Sequence, residues 1–152
     1  MRRRFKGRLI LAGSLRGEAV VTRQGFNSLA SFYPAMLEKA DEAICADHGN
    51  PDLFGKLLSG EILCLPKTIG STSAGTTWDR VAKMGIAPKA LLLSETIDSL
   101  AAAGLIIADE WAGTRIVAVD RLGQALLDQV SDGDTISVCK DGTVIVHHQR
   151  TV

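Results

Sequence analysis

Aromatic residues are scarce, at 5% of the 152 positions, so a core has to be assembled from leucine, isoleucine, valine and alanine. An excess of charge of one sign is also missing. Lys plus Arg and Asp plus Glu number 17 each, which argues against a general nucleic-acid binder with its basic footprint. The one basic cluster, "MRRRFKGR", lies at the very start and reads as a disordered or interface arm. The "LILAGSLRGEA" overlapping its end is too short and turns polar too soon for a targeting segment. No apolar run approaches the roughly 18 residues of a membrane span, so a soluble, cytoplasmic protein is expected. Cysteine is sparse and scattered: Cys45, Cys64 and Cys139 show no Cys-x-x-Cys or Cys/His spacing. That excludes a recognisable zinc or iron–sulfur motif within the chain. An odd count without a signal peptide argues against a disulfide framework. Cys64 and Cys139 sit in strand-like runs and read as small buried hydrophobes.

What is present is an ordinary globular composition, 46% hydrophobic and 22% charged. The length predicts a single domain, residues 1–152. "KGRLILAG" and "GEAVVTR" read as strands joined at "LRGE". Residues 24–34 read as loop, punctuated by Gly25 and Pro34, and "AMLEKADEAIC" as a short helix. Residues 24–56 together form an unusually long connection, the kind that often carries function. "EILCLPKT" reads as a buried strand, followed by a helix over about residues 74–84, capped by Thr72 or Ser73 and closed by Gly85. Then come a strand in "APKALLLSE", a helix in "TIDSLAAAG" from Thr96 to Gly104, strands in "LIIADE" and "RIVAVDR", and a short helix in "LGQALLDQV". The closing "DTISVCKDGTVIVHH" is a hairpin turning at Asp141-Gly142. This order predicts a mixed α/β domain, parallel in the middle and antiparallel at its ends.

The segment with most chemistry is "LPKTIGSTSAGTTWDR". It places Gly70, Ser71, Thr72, Ser73 and Gly75 between a strand and a helix. Unpaired N–H groups and aligned peptide dipoles leave about +0.5 charge at a helix start, a natural anion cradle. The same field favours a serine alkoxide. Helix capping by the hydroxyls is the plainer alternative, and the residues alone leave both open. The segment fits neither a Walker loop, since no lysine follows Gly70 or Gly75, nor Gly-x-Gly-x-x-Gly, nor Gly-x-Ser-x-Gly. Asn27 and Ser28, after the second strand, are candidates to reach the same cleft, although turn stabilisation is the ordinary role of such an asparagine. His48 reads as exposed. His147 and His148 alternate in direction along a strand and cannot chelate as a pair. Trp78 and Trp111 read as packing or subunit-contact residues.

Four stretches carry a resemblance that spans nearly the whole chain. They are "KGRLILAGSLRGEAVVTRQGFN", "NPDLFGKLLSGEILCLPKTIGSTSAGTTWDRVAKMGIAPKALLL", "AGTRIVAVDRL" and "DGDTISVCKDGTVIVH". Together they resemble the small, swivel-type subunit of the aconitase X family. The resemblance implies the swivelling β/β/α domain of the aconitase superfamily, with mixed sheets and flanking helices. It also implies a hydro-lyase that dehydrates a small hydroxy acid and is active only with a large aconitase X catalytic subunit, which holds an iron–sulfur cluster. The Gly-Ser-Ser-Arg turn of aconitases, whose first serine removes a proton next to a carboxylate, corresponds to Gly70-Ser71-Thr72-Ser73. Ser71 is thereby implied as the base, with Gly70, Thr72, Ser73, Asn27 and Ser28 around the substrate. Ser73 stands where aconitase has arginine, which removes a bidentate carboxylate clamp and makes a tricarboxylate a poor substrate. Known activities of the family imply cis-3-hydroxy-L-proline as the expected substrate and phosphomevalonate as the alternative. Lys67 and Arg80 are the cations flanking the turn in sequence. A non-catalytic anion-binding or assembly module is the reading from a different class. Neither nucleic acid nor membrane is expected as a partner.

Overall fold

The computed structural model describes residues 2–70 and 74–148. Alternation along the parallel strands sets the layering. β5 (Ile62–Leu65), β7 (Ala90–Leu93) and β8 (Val117–Asp120) are buried at every position, as strands covered on both faces must be. Leu63, Leu65, Leu91, Leu93 and Ala118 enter one apolar cluster with the helices. Their neighbours Ile62, Cys64, Ala90, Leu92, Val117 and Val119 enter a second cluster, with Ile136, Val138, Val144 and Val146 of the terminal hairpin. The result is a β layer, a second β layer and a helical layer.

The eight strands run in the order β1-β10-β9-β3-β5-β7-β8-β2. β3 (Leu15–Val21), β5, β7 and β8 are mutually parallel. β9 (Thr135–Val138) and β10 (Thr143–His147) form the expected antiparallel hairpin, and β9 pairs antiparallel with β3. β1 (Arg2–Lys6) and β2 (Arg8–Leu11) lie at opposite ends of that order. They are nevertheless consecutive in the chain with only Gly7 between them, so one bent ribbon spans both edges and the sheet folds back on itself. The arginine-rich start is therefore not a disordered arm. Arg2 to Lys6 pair in register with His147 to Thr143, and charged side chains suit an edge strand.

The helical layer departs from the sequence reading in three places. Residues 24–34 are not loop: β4 (Phe26–Asn27) leads directly into α1 (Ser28–Leu37). The helix tolerates Pro34 because its buried face, Phe32, Ala35 and Met36, packs into the core. Phe26, Phe32 and Trp78 meet there with ring centroids 5.7–5.9 Å apart. "AMLEKADEAIC" contributes only its first three residues to that helix, which ends where Lys39 turns to φ +52°. "LIIADE" is not a strand. α3 runs from Ser99 to Trp111 through Gly104. Its buried positions, Ala101, Gly104, Leu105 and Ala108, recur at helical spacing.

Gly104 stays inside the helix because α2 (Ala74–Lys83) crosses it there. A Cβ at Gly104 would lie 2.2 Å from the Gly75 carbonyl oxygen, and one at Gly75 would lie 2.9 Å from that of Leu100. The glycine is a point of close backbone approach and not a stop signal. α2 itself matches the expectation and closes at Gly85, φ +73°. A short α4 (Gln124–Gln129) covers the second cluster. Trp78 is fully buried, whereas Trp111 is 77% exposed.

One charged group is wholly inside. The Asp120 carboxylate accepts from Arg8 Nε (2.9 Å) and Nη2 (2.7 Å) and from the Ile97 backbone N–H (2.7 Å). Burial alone would push this carboxyl up. The Arg8 hydrogen bonds, the Ile97 N–H and the Arg8 charge outweigh that and hold it below the ordinary carboxylate range.

An exposed helical Gly→Ala change normally stabilises, by about 1 kcal/mol. Gly104→Ala should instead destabilise the protein by about 2 kcal/mol, through overpacking against backbone, read as a lowered urea midpoint. For Asp120, the folded value lies below the unfolded value of about 3.9. Its contribution is therefore complete above that pH and is lost as pH falls through the folded value. Urea midpoints recorded from about pH 7 down to about pH 3 should fall more steeply below about pH 4 for the wild type than for Asp120→Asn. At neutral pH Asp120→Ala should cost about 3 kcal/mol, because the Ile97 N–H and the Arg8 guanidinium lose their shared acceptor.

Candidate functional site

Three parallel strands each hand over to a helix at the same end of the sheet. β3 leads through β4 to α1, β5 through β6 (Thr68–Ile69) to α2, and β7 to α3. In open α/β sheets that carboxyl end is where ligands bind. β4 and β6 pair side by side and in parallel, Phe26 with Thr68 and Asn27 with Ile69, and Phe26 N–H donates to the Lys67 carbonyl at 2.9 Å. This small ribbon brings the segment entering α1 beside the segment entering α2. Neither helix carries an acidic residue in its first turn, so no carboxylate there offsets the positive helix ends.

Asn27 is the N-cap of α1, its Oδ1 accepting from Ala30 N–H at 3.1 Å. The same carboxamide lies against Gly70. A Cβ there would stand 3.1 Å from Asn27 Oδ1 and 3.3 Å from Nδ2, and Gly70 holds φ +117°, a conformation that favours glycine. The structure thus brings Asn27 and Gly70 together, as the sequence reading required. Ser28 is placed differently. It is fully buried at the first position of α1, and its Oγ has no hydrogen-bond partner among the described residues. Ser71, Thr72 and Ser73 lie outside the described residues, as does the expectation that Thr72 or Ser73 caps α2. In the chain they join Gly70 to Ala74.

The sequence reading missed Thr68 and Asp98. Asp98, not Thr96, is the N-cap of α3, its Oδ2 accepting from Ala101 N–H at 3.0 Å. Its Oδ1 accepts a hydrogen bond from the Thr68 hydroxyl. An aspartate directly before Ser-Leu-Ala-Ala was the available capping signal. The tie to Thr68, made 30 residues away, had no local signature.

Beside Asn27 runs a groove of about 370 Å³ bordered by Leu29, Ala30, Tyr33 and Pro34. Arg80 is not among the residues bordering that groove. It borders a different groove with Met36, Lys39 and Lys83, towards the C-terminal end of α2. Asp79 pairs with Lys83 at 2.9 Å. His48 is exposed and stacks on Phe54, with centroids 4.3 Å apart. His147 and His148 have different neighbours, Ser137 and Asp134.

The side chains present do not fit an iron–sulfur cluster. Among the described residues no three His, Cys, Asp or Glu side chains come together as metal ligands. Cys45 and Cys64 are buried, and burial first, then the Asp132 and Asp134 charges, push the Cys64 thiol up. Among the described residues no helix is long and apolar enough to cross a membrane.

The comparisons with known proteins agree with this architecture. The family model for the aconitase X swivel domain matches residues 4–146. The phosphomevalonate dehydratase small subunit of Methanocella arvoryzae is 30% identical over 142 residues, covering 91% of this chain and 93% of that protein. That of Methanosarcina acetivorans is 30% identical over 135 residues, covering 89% and 84%. The crystal structure of Thermococcus kodakaraensis aconitase X in its holo-form superposes with a TM-score of 0.79 at 27% identity, over 96% of this chain and 99% of that one. The solution NMR structure of a UPF0107 protein gives 0.76 at 25% identity, covering 96% and 100%. With a family model matching almost end to end and relatives at this identity along most of their length, the chain belongs to the aconitase X swivel-domain family, as the small subunit of an aconitase X-type dehydratase.

Proposed function

We propose that this chain is the small subunit of a dehydratase acting on phosphomevalonate, and that Ser71 is the base that removes the proton next to the substrate carboxylate. The observation that carries the substrate is the name shared by relatives matching most of the chain, phosphomevalonate dehydratase small subunit. That favours the alternative over the cis-3-hydroxy-L-proline expected from sequence. The base assignment is supported by the position of Gly70 at the carboxyl end of the parallel strands, beside the start of α1 and four residues before α2 begins.

In this reading Ser71 Oγ, as alkoxide, takes the proton on the carbon next to the carboxylate. The electron pair of that C–H bond becomes the new double bond, and the hydroxyl on the next carbon departs. Serine is a very weak acid, so the start of α2 and a water-poor interface have to stabilise the alkoxide. Thr72 and Ser73 donate hydrogen bonds to Ser71 or the carboxylate, and the Asn27 carboxamide faces the substrate from the α1 side. Ser28, being buried, acts behind Asn27 and not on the substrate. The iron–sulfur centre implied by the family resemblance would belong to the large subunit, where it would serve as Lewis acid. The large subunit would also contribute to gripping the phosphate.

The test is turnover by this chain co-expressed anaerobically with the large aconitase X-type subunit of the same genome. Phosphomevalonate and cis-3-hydroxy-L-proline would be offered in parallel, with each chain alone as control. Phosphomevalonate should be dehydrated by the complex only, and Ser71→Ala should lower kcat about a thousand-fold while the complex stays assembled. Turnover of the proline instead would keep the mechanism and replace the substrate. Activity of Ser71→Ala within a few-fold of wild type would remove the base assignment and leave an anion-binding or assembly module.

A further inference from the structure

The described residues on either side of the serine turn, Thr68 and Gly75, both meet the first turns of α3. On its entry side Thr68, two residues before Gly70, donates to the Asp98 carboxylate, whose other oxygen caps α3. On its exit side Gly75, one residue into α2, packs on Leu100 and Gly104 of α3 so closely that neither glycine has room for a Cβ. The backbone N–H next to Asp98, that of Ile97, is itself fixed by the buried Asp120 carboxylate. Both entry and exit are thus tied to one helix end that is anchored in the sheet.

Capping α3 needs only one carboxylate oxygen, and an asparagine or serine caps as well as an aspartate. The second oxygen of Asp98 is spent on β6, the strand that delivers the turn, and contributes nothing to α3 itself. A polar tie at the surface adds little to global stability, yet displacement of a reacting group by about 1 Å costs catalysis on the order of a hundred-fold. We infer that Asp98, through its hydrogen bond from Thr68, is a positioning residue that sets the place of the proton-abstracting turn relative to the partner subunit's half of the site. This inference rests on the proposed function for its kinetic consequence but not for the tie itself.

The test uses the assembled two-subunit enzyme with Thr68→Val, which removes the donor and leaves the Asp98 cap intact, and Thr68→Ser, which restores the donor. Two readouts are taken: steady-state kinetics, and deuterium uptake by peptides spanning residues 67–77. Thr68→Val should lower kcat about ten-fold with KM within two-fold of wild type, and should raise deuterium uptake in that segment. Thr68→Ser should return both to within two-fold. A Thr68→Val enzyme with unchanged kcat and unchanged uptake overturns the inference. So does a rise in KM alone, which would mean contact with substrate. Ser71→Ala, measured alongside, separates the two claims. Should Ser71→Ala stay active, the base assignment fails, and the uptake change in Thr68→Val alone decides whether Asp98 positions the turn.

Discussion

The Asp120 carboxylate is the constraint on which the arrangement of the site depends. It ends β8, it is fully buried, and it gathers three donors from two directions. Arg8 approaches from β2, the edge strand that closes the sheet order. Ile97 approaches from the segment that enters α3. A buried carboxylate in this position is tolerated only because its acceptor capacity is used. Using it locks the bent N-terminal ribbon and the start of α3 to the same atom pair. From Ile97 the order continues without a gap: Asp98 caps α3, Thr68 reaches Asp98, and Gly70 follows two residues later with Asn27 on its other side. An interaction inside the sheet is thereby linked to β6 and Gly70.

The parallel core explains why that turn lies where it does. Right-handed strand-to-helix units carry all their helix starts to one edge of the sheet. Here three such starts are adjacent, and the small β4–β6 ribbon couples two of them directly. The third, α3, works as a platform, with Gly75 and Gly104 allowing α2 to sit against it at backbone distance. A chain poor in aromatic residues achieves this by placing three of its few rings, Phe26, Phe32 and Trp78, where α1 meets α2 under the ribbon. The aromatics are thus concentrated at the joint that orients the site, while aliphatic residues fill both core layers.

The features legible in the sequence were those with local causes. The hairpin at Asp141-Gly142, the fully buried strands around Leu63, Leu91 and Ala118, and the closing glycine of α2 all follow from short-range patterns. The misreadings arose where tertiary packing overrode a local signal. Gly104 looks like a terminator, but it lies inside a helix because another backbone needs its missing side chain. Pro34 looks like punctuation, but Asn27 starts the helix before it and Phe32 and Met36 hold it down. The arginines at the start look like a free arm until Phe5 is seen beside the second apolar cluster, with Arg2 to Lys6 paired along β10. The Thr68–Asp98 tie spans 30 residues and has no periodicity to betray it.

The same geometry bears on why the chemistry would be divided between two chains. Serine is a poor base unless its alkoxide is stabilised before substrate arrives, and the stabilisation must survive the approach of a substrate carrying its own negative charge. The first turns of α1 and α2 contain no acidic side chain, so no carboxylate there offsets their positive ends. The carboxylate of Asp98, at the start of α3, is committed to Thr68 and to the Ala101 N–H. This half of the site therefore offers positive helix ends, with Asp98 engaged by β6 and by α3. What it lacks among the described residues is a set of metal ligands. In the proposed reaction, a group that withdraws electrons from the departing hydroxyl would be supplied by the large subunit. Dividing the two functions between two chains would let each keep its own geometry while the interface between them excludes water.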